Sequence, residues 1–239
     1  MVFTQVYWSG FCSLENFCFN NAQIIEYQEN ELADFIRNNW LKFIKTYPES
    51  YDGKLLFLNS FEQEQELCEE ENCHLFFNIS FIRYSTLVGL QHLQKPVQFY
   101  GVVGTQIAIF DELEQFILVG KRKFNQYYAP GLLTLPGGML ELEDAYNPKK
   151  SLLRELEEEI EIKIKNPLVM ALISDHTKYS AIILIQATIN QQFDKNHVFI
   201  EKENEFEKNQ LFWLDKNQLK KIDSAKLMEG LTYFKNQLG

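Results

Sequence analysis

The chain has 239 residues, of which 46% are hydrophobic and 14% aromatic, so it can bury a substantial core and lacks the composition of a disordered protein. The net charge of −10 argues against nucleic acid as the main partner, because phosphate backbones attract basic surfaces. No segment approaches the roughly 18 apolar residues of a membrane span, and the amino terminus lacks a basic leader region. We therefore expect a cytoplasmic protein without a membrane partner.

The first 98 residues predict a small α+β unit. Glu29 to Lys45 has apolar residues near helical spacing and predicts an amphipathic helix. Leu55 to Leu58 and Leu75 to Phe81 predict strands, because both are short apolar runs and the first follows a turn. Glu62 to Glu71 predicts a charged helix or loop, and Tyr84 to Leu93 predicts a short helix. This half is expected to form an amino-terminal extension.

Residues 99–239 show a different pattern, in which strands are separated by turns. Val102 to Phe110 and Phe116 to Lys121 predict a hairpin. The other predicted strands are Leu132 to Leu135, Leu168 to Ser174, Ala181 to Ile189 and Leu211 to Leu214. The predicted closing helices are Lys216 to Lys221 and Ser224 to Gln237. We expect this half to be one mixed α/β domain.

The most informative stretch runs from Leu135 to Ile162, where a glycine pair and a short linker precede a glutamate-rich helix. At 100° per residue, three carboxylates of this helix fall within about 100° of one another. They are Glu155, Glu158 and Glu159. Glutamates also crowd the last turns, where the helix dipole disfavours anions, which suggests that a cation is missing. Oxygen ligands in this number suit Mg²⁺ or Mn²⁺.

An acidic helix is often only a solvated surface, and the alternative interpretation is a metal site. Two neighbours of the helix favour the site. The pair Gly137-Gly138 lies just upstream, and glycine lets the backbone approach a ligand closely. Arg154 directly precedes Glu155, and an arginine there can orient carboxylates through bidentate contacts.

The order Gly138, Arg154-Glu155-Leu156, Glu158-Glu159 resembles the signature of the Nudix hydrolases, which cleave nucleoside diphosphates linked to another moiety. The resemblance implies an α/β/α sandwich with a mixed sheet, preceded here by the smaller α+β extension. It also implies a divalent metal, Mg²⁺ or alternatively Mn²⁺, held by Glu155, Glu158, Glu159 and the Gly138 carbonyl. Arg154 is expected to orient the carboxylates, and Glu155 is also a candidate base.

The linker departs from the family pattern. Sixteen positions separate Gly138 from Arg154, whereas the family has fourteen, so two additional residues lie in the linker, most simply around Tyr146 and Asn147. Asp144 stands where the family has a glutamate, with other glutamates beside it. These departures leave the identity of any linker ligand open, but they leave the helix carboxylates intact.

A second resemblance comes from an ordered series of segments. The series is Trp40…Pro48, Tyr51 to Leu55, Phe81 to Gly89 and Ala129 to Leu132. It is similar to Nudix proteins that carry an amino-terminal extension and hydrolyse UDP-glucose and UDP-galactose. It implies UMP and a sugar 1-phosphate as products, and an extension that packs on the Nudix domain and contributes to the substrate site. The candidate substrate-binding residues are Arg83, Tyr84 and Arg122.

The sequence leaves three alternatives open. The substrate could be ADP-ribose or a dinucleotide instead of a nucleotide sugar. The altered linker could have left a catalytically weak nucleotide-binding module. The extension could also serve protein interaction, in which case a homodimer is the expected assembly.

Overall fold

The computed structural model describes residues 4–20, 32–65, 73–93, 101–124, 127, 129–147, 149–153, 162–175, 179–191, 194–195 and 206–238. Its strands are β1 (Thr4–Ser13), β2 (Phe17–Asn20), β3 (Lys54–Gln65), β4 (Cys73–Arg83), β5 (Gly101–Phe110), β6 (Phe116–Arg122), β7 (Leu133–Thr134), β8 (Ile164–Asp175), β9 (Ser180–Ile189) and β10 (Phe206–Asp215). Its helices are α1 (Ala33–Thr46), α2 (Tyr84–Leu93), α3 (Lys216–Lys221) and α4 (Glu229–Gln237), and residues 149–153 are also helical. Within these ranges, no helix has the length and apolar character needed to cross a membrane.

The strands form one mixed sheet. Its main path has the order β1-β8-β9-β5-β3-β4-β2, and β6 connects β5 to β7 and β10. The pairs β5–β9 and β2–β4 are parallel, whereas β1–β8 and β3–β5 are antiparallel. Strands from the extension and from the second half therefore share a sheet. The domain boundary between residues 98 and 99 stays a prediction, since residues 94–100 lie outside the described ranges.

Apolar side chains cover both faces of the sheet, because successive side chains of a strand point to opposite faces. On one face, Val103 and Ile107 of β5 pack in a core cluster with Leu152 of the helical segment 149–153. On the opposite face, Ala108 packs in a cluster with Leu231 of α4. A third cluster joins α2 to β3. The predicted mixed-sheet α/β sandwich is thus confirmed.

Several predicted elements have different bounds in the structure. The prediction of a helix or loop from Glu62 was wrong for residues 62–65, which continue β3 and pair with β4. Two strands, β1 and β2, were not predicted. The predicted last helix is divided into a 3₁₀ turn (Ser224–Lys226) and α4. The bounds of α2 agree with the prediction.

Candidate functional site

The loop around Gly137 and Gly138, which we call the glycine loop, lies in the gap between β3 and β5. Those two strands pair directly only near Phe57, so a third chain segment can enter between them. The Thr105 N–H donates to the Gly138 carbonyl at 2.8 Å, and the Leu56 N–H donates to the Leu140 carbonyl at 2.8 Å. The loop is therefore attached to the second half on one side and to the extension on the other.

Gly137 has a backbone conformation that only glycine adopts easily. Its φ is +140°, and a Cβ at this position would lie 2.2 Å from the Thr105 carbonyl oxygen and 2.8 Å from its carbonyl carbon. Such contacts are with backbone atoms and cannot be relieved by a side-chain rotation. The glycine thus permits the loop to approach β5 closely.

The linker after the loop forms a 3₁₀ turn from Leu142 to Tyr146. Asp144 is 6% exposed, and its Oδ2 accepts the Glu141 N–H at 2.8 Å. Glu141 reciprocates by accepting the Asp144 N–H, which makes a capping box. The Asp144 carboxylate therefore binds backbone within its own turn.

The two predicted additional linker residues, Tyr146 and Asn147, lie where the turn leads into the helix. Tyr146 is 71% exposed at the end of the 3₁₀ turn. The Asn147 Oδ1 accepts the Lys150 N–H at 3.2 Å, which satisfies one of the orphan donors of the helix amino terminus. Both residues therefore lie at the junction of an exposed turn and a helix cap, and their identity as the additional residues stays a prediction.

Residues 149–153 begin the predicted acidic helix. Leu152 is fully buried in the core, and the Ser151 Oγ donates to the Asp144 carbonyl at 3.0 Å, so this first turn is held firmly. The residues Arg154, Glu155, Glu158 and Glu159 lie outside the described ranges. Their roles as catalytic residues and metal ligands stay predictions. Among the described residues, no three His, Cys, Asp or Glu side chains gather as a metal site.

A pocket of about 1030 Å³ opens beside the glycine loop. Its lining includes Gly137, Gly138 and Glu141 of the loop and linker. Both halves of the chain contribute its other walls. The extension supplies Phe43, Tyr47, Tyr51 and Tyr84, and the second half supplies Gly104, Gln106, Arg122, Lys123, Tyr127 and Ile182.

Four aromatic rings form one wall of this pocket. Phe43 is central: its ring lies 4.8 Å from that of Tyr127, 4.9 Å from that of Tyr47 and 5.7 Å from that of Tyr84. The contacts with Tyr127 and Tyr84 are edge-to-face, which is a favoured arrangement of aromatic pairs. We refer to these four residues as the aromatic wall.

Tyr84 brings a polar group to the aromatic wall. Burial raises the pKa of Tyr84 to about 12; the neighbouring Tyr127 raises it as well, whereas the charge of Arg122 lowers it. The phenol keeps its proton at neutral pH, as an unperturbed tyrosine does, and it can donate a hydrogen bond. Arg122 lines the same pocket and adds a positive charge to it.

Two of the three predicted substrate-binding residues lie in the pocket. Tyr84 and Arg122 line it, whereas the Arg83 side chain is exposed and is not part of the lining. Arg83 is the last residue of β4 and pairs in register with Lys54. The difference coincides with the transition from β4 to α2, because Arg83 is the last strand residue and Tyr84 is the first helix residue.

Sequence reasoning missed the extension residues Tyr47 and Tyr51, and it assigned Phe43 only to helix packing. One signal was present: Tyr51 precedes the Asp52-Gly53 turn of the second resemblance. In the structure, Asp52 caps α2, because its carboxylate accepts the Ser85 N–H at 2.7 Å and the Ser85 hydroxyl at 3.0 Å. The turn and α2 are therefore joined at the pocket.

The NUDIX domain family matches residues 102–231, more than half of the chain. Similar solved structures include a MutT NUDIX hydrolase from Burkholderia pseudomallei (19% identity, 57% of this chain and 97% of that one, TM-score 0.43). Another is the Nudix hydrolase RenU from M. smegmatis (14% identity, 58% and 83%, TM-score 0.39). No curated protein matches the chain.

The family match confirms the resemblance to the Nudix hydrolases. Nudix hydrolases act on small nucleotide derivatives and generally use a divalent metal ion. The chain belongs to the NUDIX domain family, and it is a hydrolase that acts on the pyrophosphate bond of nucleoside diphosphate derivatives.

Proposed function

We propose that the protein hydrolyses a nucleotide sugar such as UDP-glucose, giving UMP and a sugar 1-phosphate. The observation that carries this proposal is the convergence of the segments that resemble the UDP-sugar subfamily. Asp52 caps α2 through Ser85, and the Tyr84 N–H donates to the Gly53 carbonyl at 2.9 Å. These segments, far apart in sequence, join the wall of a single pocket next to the glycine loop.

The chemistry of the pocket is suited to such a substrate. Aromatic faces bind the planar base or the apolar face of a sugar, and the protonated Tyr84 phenol can donate to a hydroxyl or phosphate oxygen. Arg122 and Lys123 supply positive charge in a chain whose net charge is −10, so the diphosphate is attracted locally. The volume of about 1030 Å³ is sufficient for a nucleotide sugar.

In the proposed reaction, the oxygen of a water molecule bonds to one phosphorus and the bridging P–O bond breaks. We propose Glu155 as the base that accepts the water proton, with Arg154 holding the carboxylates in place. Mg²⁺, or Mn²⁺ in its stead, would neutralise phosphate charge and lower the pKa of a coordinated water. The proposed ligands are the Gly138 carbonyl, Glu155, Glu158 and Glu159.

The one described atom of this donor set fits the metal. Among the described residues, Thr105 donates a hydrogen bond to the Gly138 carbonyl oxygen, and a carbonyl oxygen has two lone pairs, so a second lone pair can serve a cation. Gly138 also borders the pocket. Carbonyl and carboxylate oxygens are the ligands that Mg²⁺ prefers.

The direct test is turnover of UDP-glucose, ADP-ribose and NADH with Mg²⁺ or Mn²⁺, followed by phosphatase-coupled release of phosphate. We expect UDP-glucose to be hydrolysed preferentially, with UMP and glucose 1-phosphate identified as products. Preferential turnover of ADP-ribose or NADH would keep the chemistry and overturn the nucleotide-sugar assignment. A thermal shift with UMP but no turnover of any substrate would instead indicate a nucleotide-binding module.

Replacement of the pocket arginine provides a sharper test of substrate binding. Arg122→Ala should raise KM for the diphosphate substrate by roughly ten- to a hundredfold, since hydrogen bonds to charged groups contribute about 1.5–3 kcal/mol. The matched variant is Arg83→Ala, which removes the same side chain outside the pocket and should leave KM within about twofold. Equal effects of the two substitutions would show that the arginines act through overall charge.

A further inference from the structure

Besides backbone contacts of β3 with the loop and linker, a tyrosine side chain of the extension reaches the linker. The Tyr51 hydroxyl donates to Oε1 of Glu141, and both residues line the pocket. We propose that Tyr51 is a positioning residue of this enzyme: by holding Glu141, it fixes the glycine loop and linker relative to the pocket. This inference rests on the pyrophosphatase activity and on the pocket assigned above.

Glu141 connects the Tyr51 contact to the glycine loop and to the linker. It is the N-cap of the 3₁₀ turn, where its carboxylate accepts the Asp144 N–H, and its backbone forms an antiparallel bridge with Leu55 of β3. Three residues upstream is Gly138, whose carbonyl is a proposed ligand. The Ser151 hydroxyl in turn binds the Asp144 carbonyl, so the linker is connected to the start of the acidic helix. A displacement of Glu141 would therefore move both the Gly138 carbonyl and the Asp144 carbonyl that binds Ser151.

Gly53 of the extension leaves room for the Tyr51 ring that makes the contact with Glu141. The Tyr51 ring lies over Gly53, where an added Cβ would be only 2.6 Å from ring atom Cε2 and 3.3 Å from the hydroxyl oxygen. The absence of a side chain at Gly53 leaves the room that the ring needs to reach Glu141. Gly53 is itself held, because its carbonyl accepts the Tyr84 N–H.

Exposure distinguishes Tyr51 from a core residue. Its relative exposure is 65%, so it contributes little apolar burial and its removal should barely change stability. A residue that positions a loop, by contrast, affects a rate more than it affects folding, because catalysis is sensitive to displacements of about 1 Å. Tyr51 should thus affect the loop and the turnover number without affecting the melting temperature.

Three variants of the full-length chain separate these possibilities. Tyr51→Phe removes only the hydroxyl. Gly53→Ala keeps the hydroxyl but displaces the ring, which is the movable end of a side chain, so little stability should be lost. Tyr146→Phe is the matched control, because Tyr146 is an equally exposed tyrosine of the linker that does not line the pocket.

The first readout needs no substrate. Hydrogen exchange followed by mass spectrometry should detect the loss of the Tyr51–Glu141 hydrogen bond in Tyr51→Phe and Gly53→Ala. Peptides covering residues 137–147 should exchange about three- to tenfold faster, because this hydrogen bond stabilises the loop and linker modestly. Exchange of the peptides from β8 should not change, and Tyr146→Phe should match the wild type throughout. Unchanged exchange of residues 137–147 in both variants would overturn the proposal.

The second readout is kinetic, with whichever diphosphate substrate the wild type hydrolyses. Tyr51→Phe and Gly53→Ala should each lower kcat about five- to twentyfold with KM within about twofold, and the double variant should lose no more than the single ones. Wild-type kcat in both variants would overturn the proposal, as would a rise in KM alone, which would make Tyr51 a substrate contact. If the wild type itself turned over no substrate, the proposed function would fail while the exchange experiment still decided this inference.

Discussion

Glu159→Gln should lower kcat by at least about a hundredfold while the protein keeps its fold. The substitution preserves the size of the side chain but removes its negative charge, and with it a proposed ligand of the catalytic metal. Loss of one preorganised electrostatic contact to a transition state typically costs a hundred- to a thousandfold in kcat. The assignment of Glu159 rests on the Nudix signature, because this residue lies outside the described part of the chain.

The control is Glu157→Gln, the same substitution two residues earlier. On a helix Glu157 is 200° from Glu155, well away from the proposed carboxylate face. Its signature position is also a variable one. Activity should therefore stay within about threefold of the wild type, and the Mg²⁺ concentration for half-maximal rate should rise only in Glu159→Gln. A similar loss in both variants would show that the total charge of the helix, not one carboxylate, supports turnover.

Gly137→Ala should impair both folding and catalysis. At φ +140° the new Cβ would meet the Thr105 carbonyl at 2.2 Å and the Cα of Gln106 at 3.0 Å, so the loop or β5 must move. Backbone strain and overpacking each cost about 1–3 kcal/mol, and we expect unfolding free energy to fall by about 2–5 kcal/mol. The displaced loop should also lower kcat/KM by about a hundredfold.

The measurements are urea unfolding and turnover under the same conditions. Gly10→Ala is a suitable control, because the nearest atoms to its new Cβ belong to the Trp8 side chain, from 3.0 Å. Gly10 also lies on β1, which is far from β5 and β3 in the sheet order. The Gly10→Ala variant should lose little activity. Normal stability and activity of Gly137→Ala would mean that the close approach of the loop to β5 is not required.

The elements that were predicted well depend on short-range patterns. The hairpin between β5 and β6 and the bounds of α2 follow from runs of apolar residues bounded by turn residues or by a strand end. The Nudix signature is likewise local, since a helix converts the spacing of Glu155, Glu158 and Glu159 into a common face. Such features require no knowledge of which distant segments meet.

The elements that were missed depend on distant partners. β1 pairs with β8, which lies more than 150 residues later, and its bulges interrupt the alternation that identifies a strand. The charged end of β3 is a strand because it pairs with β4, although its glutamates suggested a helix or loop. In both cases pairing across the sheet overrides local preference.

By itself, the sequence determined the family, the pyrophosphatase chemistry and the helix expected to carry the carboxylates, because these reside in spacings of a few residues. Only the tertiary structure decided which side chains form the pocket: Tyr51 and Phe43 joined Arg122 there, and Arg83 did not. It also brought strands of the extension into the same sheet as β5, which binds the glycine loop. The physical reason is that backbone hydrogen bonds between strands join segments without regard to their separation in sequence, and side-chain direction follows from that pairing.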